Sequence, residues 1–180
     1  MTPSNTCLLL GILMITSHGL TLAKPLAVGE WLKKFPRNVP IGVVLMLIGT
    51  AWFEWNLWQE NLSDIAPWKN LMLIGFALVG CGSCVYVRDY LSVRGLSVVM
   101  LMAAWWLIEL VRFHESPWRR ALVAWGYVWA VLGIWWSMSP WRLRDAIQWV
   151  TSETGRLRLG ALAGILWGAV LIALGLTALR

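Results

Sequence analysis

Mostly apolar stretches recur six times along the chain, at 7–23, 39–58, 71–87, 95–111, 121–138 and 159–179. A helix needs roughly 17–25 such residues to cross a hydrocarbon core about 30 Å thick. The pattern therefore predicts an all-α fold, a polytopic transmembrane helix bundle of six spans forming a single domain over residues 1–180. Ser17 and His18 interrupt the first stretch, as in a secretory leader. A leader carries basic residues ahead of its apolar run, and none precedes Lys24; Thr21-Leu22-Ala23 is also a poor cleavage site. A retained span is expected.

Two connections have a different period. In 24–37, Val28, Trp31, Leu32 and Phe35 recur at i, i+3, i+4, i+7 after Pro25, with Glu30, Lys33 and Lys34 on the other side. In 139–158, Leu143, Ala146, Ile147 and Val150 repeat that spacing, with Ser139 as N-cap, Pro140 at the first helical position and Gly155 as the stop. Both read as short amphipathic helices lying in the head-group plane. Ser-Pro-Trp-Arg occurs twice, at 116–119 and 139–142, each time where a helix begins.

Charge then orients the bundle. Lys24, Lys33, Lys34, Arg37, Arg88, Arg94, Arg142, Arg144, Arg156 and Arg158 fall at one face, ten in all. The other has five, Lys69, Arg112, Arg119, Arg120 and Arg180, with the acidic Glu60 and Asp64. By the positive-inside rule the richer face is cytoplasmic and both termini are extracytoplasmic. Although the net charge is +6, the basic residues stand between apolar runs, which suits anionic lipid head groups at the cytoplasmic face and not nucleic acid. Only 13% of residues are charged, about half the share in soluble domains.

One resemblance emerges. Phe35-Pro36-Arg37-Asn38 leading into Gly42 and Gly49, and Pro140 through Trp149 and Arg156 into Gly160 and Gly168, resemble small two-span bacterial membrane proteins of the YjeT type. The resemblance covers about a third of the chain and implies a bacterial inner-membrane location. It brings no established activity and no catalytic residues, and this chain has four further spans.

Candidate chemistry is sparse. Fifteen tryptophans make the chain tryptophan-rich, and most cluster at span ends as aromatic belts do. Trp125 and Trp129 share a deeper helix face, suited to packing or to a flat apolar ligand. His18 and His114 end antiparallel spans at opposite faces, which excludes a haem held by that pair. Cys81 and Cys84 form a C-x-x-C pair that redox enzymes use, but it lies in a run of small residues that helix packing favours. The three cysteines make no disulfide framework. Glu54 and Glu109 are ionisable groups inside spans and, with Asn56 and Arg112, define a candidate intramembrane polar site. Gly160, Gly164 and Gly168, with Gly175 nearby, define a candidate helix-packing face.

No P-loop, zinc-protease helix or nucleophile triad is present, no metal ligand set is assigned, and the sequence names no cofactor. The reading is a non-enzymatic accessory or scaffold subunit of a larger membrane assembly, with membrane-protein partners. The alternatives are a small-solute or ion transporter using Glu54 and Glu109, and a membrane thiol redox enzyme using Cys81 and Cys84. The orientation is directly testable. Single cysteines introduced over 142–156 should be shielded from a membrane-impermeant maleimide in intact cells; labelling there would invert the topology.

Overall fold

Polar punctuation sets the helix starts. The Thr2 hydroxyl accepts from the Asn5 amide at 3.3 Å ahead of Pro3, and the Asn38 side chain accepts from the Ile41 amide at 3.1 Å ahead of Pro40. The structure, a computed structural model, describes residues 2–179 apart from the side chain of Asp64; Arg180 lies outside the described residues. Among these the regular elements are helical: α1 (Pro3–Ala23), α2 (Pro25–Lys34), α3 (Val39–Gln59), α4 (Lys69–Tyr86), α5 (Leu91–Val111), α6 (Arg119–Met138), α7 (Trp141–Thr151) and α8 (Thr154–Thr177), with 3-10 turns at Phe35–Arg37 and Ser63–Trp68. Six apolar helices, all but α2 and α7, are long enough to cross a membrane.

The short α2 and α7 occupy the two connections with the amphipathic period. Val28 and Leu32 are half-buried, while Glu30 and Lys33 pair in the open at 3.0 Å, a contact that holds the Glu30 carboxyl below its usual range. Gly155 does not stop α7. That helix ends at Thr151, whose hydroxyl turns back on the Ile147 carbonyl at 2.7 Å; Ser152 does the same to Trp149 at 2.8 Å. Glu153 is extended, and Gly155 already belongs to the first turn of α8. Neither does the Ser139–Pro140 pair start the helix: α7 begins one residue later. Both Ser-Pro-Trp-Arg copies make one turn, with the Ser116 carbonyl accepting from Arg119 N–H at 3.1 Å and the Ser139 carbonyl from Arg142 N–H at 3.0 Å.

The chain divides into two compact units, 1–34 with 105–128 and 144–180, and 35–104 with 129–143. In the first, α1 and α8 run antiparallel over most of their length. Gly175 lies against Ser4 and Cys7, Gly168 against Gly11, and Gly164 against His18. The Ser4 hydroxyl donates to the Gly175 carbonyl at 2.7 Å. Both ends of the described chain therefore lie at the same end of this pair. Its core gathers Cys7, Val111, Leu122, Leu171, Leu174 and Leu179.

In the second unit α3 runs parallel to α5 and antiparallel to α4. A Cβ on Gly42 would strike the α5 backbone at Leu91 and Ser92, and one on Gly95 would meet the Gly42 carbonyl at 3.0 Å. Gly49 meets Val98, Gly80 meets Thr50, and Gly133 of α6 meets Leu101. The buried Ser92 hydroxyl ties α5 to the 3-10 turn by donating to the Phe35 carbonyl at 2.6 Å. At the far end Lys69 donates from Nζ to the Trp58 and Glu60 carbonyls at 2.6 and 2.7 Å, capping the negative end of α3.

At Gly168 a Cβ would lie 2.9 Å from the Gly11 carbonyl and 2.9 Å from Ile15 Cγ1. Gly168→Leu is expected to cost about 1–3 kcal/mol or more through overpacking and to lower the melting temperature in detergent by several degrees. Leu166→Ala, at a position 69% exposed, should change it little. Equal melting of the two variants would mean that the α1–α8 pair is not closed as described.

Candidate functional site

The polar groups of the long apolar helices separate into distinct local settings. Glu54 belongs to the second unit and lies in a shallow groove between α3 and α4, among Trp55, Trp58, Leu73, Ile74 and Ala77. Its Oε1 is buried without a hydrogen-bond partner. Asn56 is not in that groove: its amide donates back to the Trp52 carbonyl at 2.7 Å. Glu109 and Arg112 belong to the first unit and pair on an exposed turn at 3.3 Å. The four residues of the candidate polar site are therefore held in different ways: one partnerless carboxylate oxygen, one self-satisfied amide and one open ion pair.

The glycine face of α8 is divided. Gly164 and Gly168 take the close approach of α1, whereas a Cβ on Gly160 would meet nothing within 4 Å. The His18 ring explains the difference, because it fills the space over Gly164 and leaves Gly160 at the wall of a cavity of about 520 Å³. Ser17, Thr21, Val28, Trp31 and Leu157 complete much of that wall. His18 Nδ1 lies 2.8 Å from the Met14 carbonyl, which only accepts, so the bond is made by Nδ1–H. His114 Nδ1 instead accepts from the Ser116 amide at 3.2 Å. Trp125 packs at a tilt against Trp167 of α8, with ring centroids 5.1 Å apart and planes at 35°, in the first unit, while Trp129 belongs to the second.

Cys81 is exposed and Cys84 half-buried, both are free thiols, and the Cys84 thiol faces the Gly80 carbonyl at 3.6 Å. Cys7 is buried in the core of the first unit. Among the described residues no group of three His, Cys, Asp or Glu side chains could hold a metal ion.

Two features were not singled out from the sequence. One is Arg94, in the first turns of α5. It lines a largely apolar pocket of about 340 Å³ with Thr50, Phe53, Phe76, Ser83 and Val98. Its Nη1 donates to the Ser137 carbonyl at 3.3 Å, and its Nε is buried without a partner. Arginine near the start of an apolar run reads as a topology signal, which hid its place in a pocket. The other is the outer face of α4. Gly75 and Gly82 would each admit a Cβ with nothing within 4 Å. They stand seven residues apart on the face that also carries Leu71, Leu78 and Val85, each 58% exposed or more. The spacing 71, 75, 78, 82 and 85 is the sequence signal of this seam, a fainter one than the longer glycine run of α8.

A buried polar atom without a partner costs about 1–3 kcal/mol, so the two carboxylates should respond differently to removal. Glu54→Leu is expected to raise thermal stability in detergent. Glu109→Leu, which loses an exposed pair worth about 0.2–0.5 kcal/mol, should leave it nearly unchanged. A fall in stability for Glu54→Leu would show that the carboxylate has a partner.

No family model, curated protein or solved structure matches this chain.

Proposed function

We propose that this chain is an integral protein of the bacterial inner membrane, with both termini outside the cytoplasm, acting as a non-enzymatic scaffold subunit that seats a partner helix on α4. The membrane reading rests on six apolar helices and on the lipid-like surface they present. The location rests on the YjeT-type resemblance, and the orientation on the Lys and Arg bias, which also favours anionic head groups at the cytoplasmic face.

The observation that carries the scaffold role is the bare α4 seam. Lipid tails are as apolar as leucine, so exposure of Leu71 or Leu78 needs no partner; glycine is different. Each helical glycine forgoes about 1 kcal/mol relative to alanine in water, and Gly11, Gly42, Gly49, Gly80, Gly95, Gly164 and Gly168 all return it through close approach within the chain. Gly75 and Gly82 return nothing internally, on the helix that is least enclosed of the six. A second helix laid on Leu71, Gly75, Leu78 and Gly82 supplies the missing contact. Gly164, Gly168 and Gly175 of α8, by contrast, are taken up by α1 and give the scaffold reading no support; Gly160 is open as well but stands alone.

One observation favours the transporter reading, the partnerless Glu54 oxygen in its groove. The two readings separate experimentally. Gly75→Leu with Gly82→Leu should fold and melt as the native chain does, because both sites are open, yet lose proteins that co-purify in mild detergent. Retention of every partner would overturn the scaffold reading. So would a lone native chain that carries a solute into liposomes and is silenced by Glu54→Gln.

A further inference from the structure

The α5–α6 hairpin gathers positive charge where the fold gives it no reason to be. Arg112 follows the last residue of α5, Arg119 and Arg120 open α6, and the three line one groove of about 450 Å³ with Ile108, Val123, Ala124 and Tyr127. Arg119 donates from Nη1 to the Arg112 carbonyl at 2.8 Å, which draws the two residues together. Arg112 has Glu109 as its ion-pair partner. Neither Arg119 nor Arg120 has a carboxylate within ion-pair distance among the described residues. The helix makes matters worse. Arg119 and Arg120 occupy the first turn of α6, the positive end of its dipole, and no acidic residue stands there. Three guanidiniums line the groove and no carboxylate does, since Glu109 and Glu115 of the same hairpin stand outside its lining. A phosphodiester relieves that repulsion and accepts from several guanidinium donors at once.

The rest of the groove describes the remainder of the ligand. It runs from the charged turn down onto apolar side chains one and two turns into each helix, so head and tail are spatially ordered as in an amphiphile. The turn itself carries exposed Phe113 and Trp118, 81% and 57% exposed, side chains that settle at the head-group level. We infer that the α5–α6 hairpin binds an acidic glycerophospholipid, its phosphodiester on Arg112, Arg119 and Arg120 and an acyl chain along Val123, Ala124 and Tyr127. The inference rests on the membrane-spanning reading and is independent of the scaffold role.

The test uses the full chain, first kept in the membrane fraction at alkaline pH; release there would overturn the membrane reading itself and with it the site. Native mass spectrometry then follows binding of phosphatidylglycerol and of phosphatidylcholine with the same acyl chains. The native chain should prefer phosphatidylglycerol by about tenfold, because both lipids offer the same phosphodiester and only phosphatidylcholine adds a choline cation that the arginines repel. Arg119→Gln with Arg120→Gln should abolish the preference, whereas Arg94→Gln, at the other end of α5, should keep it. Should the double variant fail to fold, Ala124→Trp decides, since it fills the apolar part of the groove and leaves the arginines: retained phosphatidylglycerol must fall while melting of the lipid-free chain holds. Equal retention of the two lipids, a preference that survives these variants, or stabilisation by inorganic phosphate alone that matches phosphatidylglycerol would each overturn the proposal.

Discussion

Close backbone approach at glycine is the constraint on which both units depend. In water two amphipathic helices are driven together by the apolar area they hide, but a helix leaving lipid for another helix gains little that way. What remains is contact density and the occasional hydrogen bond, and both need the backbones to be near. The α1–α8 pair uses Gly11 against Gly168 and reinforces it with a Ser4 hydroxyl on the Gly175 carbonyl. The α3–α5 pair uses Gly42 against Gly95, fastened where Ser92 reaches the Phe35 carbonyl. The two units solve the same problem with the same pairing of a glycine and a serine.

That economy explains why so much of the remaining surface is apolar and uncommitted. Leu166, Leu159, Leu78 and Val79 are all more than 60% exposed, a pattern that would aggregate in water and is neutral in lipid. Large apolar side chains thus say little about partners here. Glycines and unsatisfied polar atoms say more, because each costs something that only a neighbour restores. By that measure α4, Glu54 and Arg94 are the places in the second unit where the fold is incomplete alone.

Much of this was legible in the sequence, for a physical reason. The six long apolar helices follow from run length, and α2 and α7 from a period of 3.6 among polar residues; both signals are local. The failures are of two kinds. Spacing offers Gly155 as a stop because glycine often ends helices, but the Thr151 and Ser152 hydroxyls already take the Ile147 and Trp149 carbonyls, and that depends on rotamers that spacing does not encode. The division of Gly160 from Gly164 and Gly168 depends on where the His18 ring sits, which is tertiary. Likewise Glu54 and Asn56 stand two residues apart, a spacing that turns them to different sides of a helix, and only their partners show that one is satisfied and the other is not.

The arginine groove also bears on how the charge bias itself is read. Counting Lys and Arg treats each as a vote on topology, yet a basic residue that serves another role is no vote at all. If Arg112, Arg119 and Arg120 answer to a bound phosphodiester, the poorer face keeps only Lys69 and Arg180. Lys69 has a local task as well, with its ammonium on two carbonyls at the end of α3. Some residues of the richer face are similarly employed, Lys33 by Glu30 and Arg156 by Glu153 at 2.9 Å, but these are exposed i, i+3 pairs that cost little to break. Arg94, held in its pocket, and Arg144, paired with Asp145 at 2.8 Å, leave the richer count as well, but the poorer face then loses four of five and the richer at most four of ten. The asymmetry on which the proposed orientation rests becomes steeper, and the same arginines that blur the count are the ones the groove accounts for.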